Sequence, residues 1–190
     1  MALLTRSPGA RRVMAVLAAA VSLLGLGGSS VLAEERAPEY AIKATYLYKL
    51  APFVDWPAAA LPGGGPFTIC VFGDDPFGPQ LDRAVDGQSI AGRSISVRRL
   101  QVTPQDLDCQ VLYLGRSRSQ SATGLLRAVR GRPVLTVTDE SQGSSGGMVQ
   151  FELRDGRVRF SLDAASASAS GLSFSSKLQA LATKVRRVGE

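Results

Sequence analysis

The run Phe67-Thr68-Ile69-Cys70-Val71-Phe72-Gly73 is apolar along almost its whole length and rich in β-branched and aromatic residues. Gly63-Gly64-Gly65-Pro66 leads into it and Gly73-Asp74-Asp75-Pro76 leads out. A short run with breakers on both sides predicts a strand buried on both faces. Ser94-Ile95-Ser96-Val97-Arg98 alternates as a half-buried strand does, and Cys109 to Gly115 and Pro133 to Val137 read as further buried strands. Between them the period lengthens. Asp75 is a candidate N-cap, with Pro76 at the first helical position, for a helix through about Val85. Thr103-Pro104-Gln105-Asp106 signals one helical turn, and Gln120 to Val129 presents Leu125, Leu126 and Val129 on one face before Gly131.

The two ends carry helical periods as well. From Glu34 to Trp56, Pro38-Glu39 suits a first turn, and Ile42, Tyr46, Lys49/Leu50 and Phe53 recur at helical spacing up to a kink or stop at Pro52. With Tyr40 and Tyr48 this stripe reads as core packing ahead of a ligand box. Leu178, Leu181, Ala182 and Val185 form an i, i+3, i+4, i+7 stripe that predicts a C-terminal helix. The sharpest local signal is Asp155-Gly156, a two-residue turn. Counting outward from it sets Leu153 against Val158, Phe151 against Phe160 and Val149 against Leu162 on one face, with Glu152 opposite Arg159 on the other. Together these elements predict a single α/β domain, three-layer-like, with a mostly parallel central sheet, a C-terminal antiparallel hairpin and helices on both faces.

Composition changes the picture first at the N-terminus. Arg6, Arg11 and Arg12 precede an apolar stretch from Val13 to Leu26 that is short for a membrane span, and Val31-Leu32-Ala33 fits a cleavage site. Residues 1–33 are therefore expected to be a signal peptide and 34–190 the domain, an uncleaved anchor being the other reading. No cysteine lies near the cleavage point to carry a lipid. The whole chain has 22 Lys+Arg against 16 Asp+Glu, but three of those arginines are in the leader. The remaining excess is small and scattered, which argues against nucleic acid as a partner.

The chain has no histidine, which removes every mechanism that needs an imidazole. Neither glycine-rich loop has a phosphate-binding ending, and Ser173 and Lys177 are spaced too widely for the Ser-x-x-Lys nucleophile. No cofactor is implied. The two cysteines, Cys70 and Cys109, are too far apart in sequence for a redox pair and too few for a zinc cage. In an oxidising compartment they are expected to form a disulfide, with two reduced core thiols as the alternative.

Several of these segments, taken in order, resemble the YfiR-like family of periplasmic regulatory proteins. They are Ala41 to Tyr48, Phe53-Val54-Asp55-Trp56-Pro57, Ile69 to Gly78, Leu107 to Tyr113, Pro133 to Asp139, Gly146-Gly147-Met148-Val149, Arg157 to Phe160 and Gly171 to Leu178. The resemblance implies that Cys70 and Cys109 match the family's structural disulfide. The second cysteine pair of the family's namesake, near the Gly-Gly-Met segment, is missing here. It also implies a non-enzymatic role in the periplasm: repression of a membrane-bound diguanylate cyclase through that enzyme's periplasmic domain, lowering cyclic di-GMP and biofilm formation. An OmpA-like outer-membrane lipoprotein would relieve the repression, and a homodimer is compatible with such a role. The alternative is a small-molecule-binding sensor module serving a histidine kinase or an outer-membrane transporter. Within the segment Asp163 to Lys177, the candidate partner-binding residues are Asp163, Leu172, Phe174 and Lys177. Against that stands the reading that Leu172 and Phe174 are core and Asp163 a strand-end cap.

Overall fold

A computed structural model of the chain describes residues 30–61, 63–101, 107–117 and 121–189, with side chains described from residue 38. The expected leader up to residue 29 and the expected helical turn at 103–106 lie outside them. Two compact units divide the chain, Met1–Ala37 and Pro38–Glu190, and the sheet and core lie in the second. In chain order the elements are α1 (Ser30–Lys49), β1 (Val54–Asp55), β2 (Phe67–Phe72), α2 (Pro79–Val85), β3 (Ser89–Ile90), β4 (Arg93–Leu100), β5 (Val111–Leu114), α3 (Ala122–Ala128), β6 (Leu135–Asp139), β7 (Val149–Arg154), β8 (Arg157–Asp163), α4 (Ala164–Ala169), β9 (Ser173–Phe174), α5 (Ser176–Leu181) and β10 (Val185–Arg186).

Eight strands form one sheet in the order β10-β8-β7-β6-β5-β2-β4-β3, while β1 and β9 pair separately. The strands from β4 across to β7 are parallel; β8 returns antiparallel to β7, and β3 is antiparallel to β4. The chain runs from β2 outward to β4, then crosses back to β5 on the other side of β2. That makes the fold a doubly wound α/β sheet whose order reverses at β2/β5. All six residues of β2 are buried, as its unbroken apolar run requires. Phe67, Ile69 and Val71 face a core closed by α1, α2 and α5, while Cys70 and Phe72 face a second core closed by Leu125 and Val129 from the α3 segment.

The hairpin register agrees with the sequence at every pair: Val149 with Leu162, Phe151 with Phe160, Glu152 with Arg159 and Leu153 with Val158. Asp155 and Gly156 both take positive φ, 51° and 68°, as a primed turn demands. That apolar face is not buried throughout, because Leu153 at the tip is 43% exposed.

Three expectations are corrected by longer-range contacts. The buried face of α1 is Tyr40, Lys43, Ala44 and Leu47, with Ile42 turned outward. The apolar stripe is overridden because the Lys43 ammonium finds carboxylates inside the fold. The second helix starts at Pro79 and not Pro76, since the Asp75 carboxylate accepts from the backbone N–H groups of Phe77 and Gly78 and holds a turn there. The last helix ends at Leu181. Beyond it Thr183 N donates to Phe160 O and Leu162 N donates to Lys184 O, so Val185 joins the sheet edge and Leu181 is left in solvent. The short strand β3 was not signalled at all. Its turn, Ala91-Gly92, places a non-glycine residue at φ 51°.

Candidate functional site

In doubly wound sheets, ligands sit in the crevice beyond the strand ends where the order reverses. Here that crevice is closed by backbone. Gly115 N donates to Phe72 O at 2.9 Å and Asp74 N donates to Arg116 O at 2.7 Å, so the β2/β5 ladder continues into the two loops. A Cβ on Gly73 or Gly115 would collide with the backbone of the opposite loop, and Gly73 also takes φ +79°. Among the described residues no cluster of His, Cys, Asp and Glu side chains could hold a metal.

Beside the sealed crevice lies a buried charge cluster that the sequence did not reveal as a site. Lys43 is wholly buried and donates to both Asp139 oxygens, at 2.7 and 2.8 Å, and to Glu39 one turn earlier. Its ammonium lies 4.8 Å from the Tyr40 ring centroid. Asp139, also wholly buried, accepts as well from Tyr113 Oη at 3.0 Å and Ser141 N at 3.0 Å. Burial, reinforced by the neighbouring Asp139 charge, raises the Tyr113 pKa far above its usual value, so the phenol remains a neutral donor. Burial likewise raises Tyr40, only partly opposed by a hydrogen bond with Gln142. Phe77 stacks edge-on to both Tyr113 and Tyr40. The cluster pins α1 to the C-terminal end of β6. A Glu39/Lys43 spacing of four and a strand ending in Asp139 were its only traces in the sequence.

The four residues expected to meet a partner separate into two groups. Leu172 and Phe174 are 2% and 6% exposed and belong to the core, because β9 is drawn in against β1. Of the two readings made of them, burial agrees with the one that places Leu172 and Phe174 in the core. Ser173 Oγ donates to Asp55 Oδ2 at 2.7 Å on the outer side of that small sheet. Lys177 is exposed, its ammonium 5.5 Å from the Phe53 ring centroid.

Asp163 ends β8 and caps α4, accepting from Ser166 N at 2.9 Å and from Ser166 Oγ at 2.7 Å, and it pairs with Arg186 of β10. Burial alone would raise its pKa. The Ser166 hydrogen bonds and the Arg186 charge outweigh that and hold it below the usual carboxylate range. A depressed folded pKa adds stability above the unfolded value, near about pH 4, and that contribution disappears as pH falls through the folded value. Asp163→Asn is therefore expected to lower the urea midpoint at about pH 7 and to converge with the parent in acid. A gap that stays constant across pH would contradict this.

Next to this cap, α3 and α4 flank an open pocket of about 380 Å³ whose lining includes Leu126, Met148, Ala169, Arg130 and Arg186. Its size lies at the low end for small-ligand pockets. On the opposite sheet face, Arg99 joins Asp75 and Asp82 at 2.6 Å each, and its hydrogen bond lowers the Asp82 pKa.

The cysteines are joined: Cys70 on β2 and Cys109 just before β5 form a disulfide with Cα atoms 5.9 Å apart. Among the described residues no helix is long and apolar enough to cross a membrane. A family model described as YfiR/HmsC-like matches residues 40–183, which takes in Lys43, Asp139, both cysteines and the whole segment from Asp163 to Lys177. The chain thus belongs to the YfiR/HmsC-like family, whose members are periplasmic regulators of diguanylate cyclase signalling and not catalysts.

Proposed function

We propose that this protein represses a membrane-bound diguanylate cyclase by binding its periplasmic domain, and so lowers cyclic di-GMP and biofilm formation. The observation that carries the reading is the family match across residues 40–183. The sealed strand-end crevice supports it, since a regulator that works by docking needs a firm scaffold more than a cofactor cleft. On this reading the docking face is the outer side of the Asp163–Lys177 segment, where Ser173 and Lys177 are exposed over buried Leu172 and Phe174. An OmpA-like outer-membrane lipoprotein is the counterpart that would release the cyclase.

Cellular cyclic di-GMP is the direct readout. Deleting the gene is expected to raise it, and an exported copy, but not a leaderless one, is expected to restore it. No rise under conditions in which the gene is expressed would overturn the proposal.

The 380 Å³ pocket favours a second reading, a small-molecule sensor module for a histidine kinase or an outer-membrane transporter. Arg130 among small and apolar side chains, beside an Arg186 already paired with Asp163, suits an anionic ligand with an apolar body. A thermal-shift screen of small carboxylates against the parent and Arg130→Ala tests it. A ligand whose shift survives that substitution would place binding elsewhere.

A further inference from the structure

The fold gathers positive charge along one edge of the large sheet. From Ala164 to Gly189 the chain carries Lys177, Lys184, Arg186 and Arg187 and no Asp or Glu. The last part of that stretch is the sheet's outermost strand on the β8 side. Thr183 N donates to Phe160 O, Leu162 N donates to Lys184 O, and Arg186 pairs with Asp163. Lys184, Arg186 and Arg187 therefore run alongside β8, which adds Arg157 and Arg159. All five are exposed. The acids close by are mostly engaged: Asp163 pairs with Arg186, and Glu140 and Glu152 both pair with Arg154. Among the described residues Arg157, Arg159 and Lys184 have no ion pair, and neither does Asp155 in the turn. Arg157 also lies directly opposite Arg154 in the hairpin, a like-charge placement that costs stability until a counter-charge arrives.

Apolar side chains stand out from the same edge. Leu181, just before β10, is 62% exposed, and Val188, just after it, is 74% exposed. Leu153 projects at the hairpin tip, and Ile42 is the other large apolar side chain this exposed among the described residues. Leu181 and Val188 are single tips set at the two ends of a row of cations. A fitted protein partner is held by anchors packed together in pockets. A bilayer surface instead accepts isolated apolar tips, while Lys and Arg extend to the headgroups.

We propose that this edge rests on the surface of an anionic phospholipid bilayer, with Leu181 and Val188 entering the interface and Arg157, Arg159 and Lys184 meeting phosphate groups. Members of the family are periplasmic, so such a leaflet borders their compartment. Each cation near an anionic leaflet adds to the attraction, which fades within a Debye length. Three unpaired cations and a few apolar tips give a reversible contact, well short of an anchor. The proposal goes beyond the repressor reading and does not depend on it. It does bear on the docking face. Only α5, six residues and so about 9 Å long, separates β9 from the turn into β10. A protein lying on this edge keeps Ser173 and Lys177 near the membrane, where a membrane-bound partner is met at a raised effective concentration.

Co-sedimentation with lipid vesicles tests this, using residues 34–190, since an apolar leader would bind lipid by itself. The protein is expected to bind vesicles of phosphatidylglycerol with phosphatidylcholine, to ignore vesicles of phosphatidylcholine alone, and to release as salt rises. Arg157→Gln with Lys184→Gln is expected to raise the lipid concentration for half-binding by at least about tenfold. Leu181→Ser is expected to raise it by about threefold or more. These side chains are exposed, so the variants are expected to keep the parent's circular dichroism. An environment-sensitive dye gives an independent check, the native cysteines being closed in their disulfide. On Leu181→Cys its emission is expected to shift to the blue with anionic vesicles. On Gln88→Cys, beside β3 at the opposite edge of the sheet, it is expected to stay unchanged. No binding to anionic vesicles, equal binding to both kinds, binding that the double substitution leaves unchanged, or equal dye responses at the two positions would each overturn the proposal. A protein that lowers cyclic di-GMP yet ignores anionic vesicles would overturn this proposal alone, and would assign the cations to an acidic protein surface.

Discussion

Replacing Lys43 with alanine is expected to lower the unfolding free energy by about 3–5 kcal/mol, the range for breaking a buried ion pair from one side. Domain stabilities are on the order of 5–15 kcal/mol, so much of the total is at stake. The loss comes from what remains behind. Asp139 has no solvent exposure, and without the ammonium its charge keeps only neutral donors, Tyr113 Oη and the Ser141 N–H among them. Glu39, close by on the same helix, adds a second carboxylate to that site. Removing both charges tests the cause: Lys43→Met with Asp139→Leu is expected to recover most of the loss, because apolar groups of similar size can replace a buried pair at little cost. Urea unfolding of the parent, the single variant and the double variant measures the coupling. A loss below about 1 kcal/mol for Lys43→Ala would show that water reaches Asp139 in the folded protein. The effect extends to the proposed docking face. Lys43 holds α1; α1 leads through Phe53 into β1, and β1 pairs with β9 beneath Lys177. On the proposed function, higher cyclic di-GMP is thus the expected cellular phenotype of Lys43→Ala.

Lys43 also marks where sequence reasoning reached its limit. The hairpin was legible residue by residue because its turn, its register and its alternating faces are all local, and Val149–Leu162 through Leu153–Val158 follow from counting. The buried strands β2 and β5 were legible from their apolar runs and breakers, and with the intervening helices they gave a mostly parallel α/β sheet, though not its strand order. What could not be read depends on segments far apart in the chain. A lysine on an apolar stripe looks like an exposed position until Asp139, 96 residues away, is brought against it. Two-residue strands such as β9 and β10 carry no periodicity, and each exists because a strand distant in the chain, β1 for β9 and β8 for β10, lies beside it. For the same reason Asp163 could be read as a cap but its ion pair with Arg186 could not, since a helix was expected to continue over Val185. Leu172 and Phe174 show the converse: apolar residues in a polar segment resembled a contact surface, and β1 draws them inward.

Replacing both cysteines by alanine is expected to cost about 4 kcal/mol, the loop-entropy value for a closed loop of about 39 residues. At the size of this domain that corresponds to a fall in Tm of roughly 8–16 °C. The bridge joins β2 to the residue pair that opens β5, across the long excursion through α2, β3 and β4. Without it the unfolded chain recovers the freedom of that whole excursion. The fold has a second fastening at the same place. Gln110, next to Cys109, accepts from Thr68 N at 2.7 Å through its side chain and donates to Ala60 O at 2.9 Å, while its backbone N donates to Thr68 O at 3.0 Å. These bonds hold the β2/β5 junction only once the chain is folded; they do nothing to restrict the unfolded state. The two fastenings therefore separate experimentally. The double alanine variant is expected to lose stability with its native circular dichroism intact, and Gln110→Ala is expected to loosen hydrogen-exchange protection at Thr68 in the parent disulfide background. Reductant should mimic the alanine variant and leave that variant itself unaffected. A double variant within about 1 kcal/mol of the parent would mean that the denatured chain is already compact around this junction, so that the bridge restricts little. The hold on the β2/β5 junction would then rest on the Gln110 contacts and not on the disulfide.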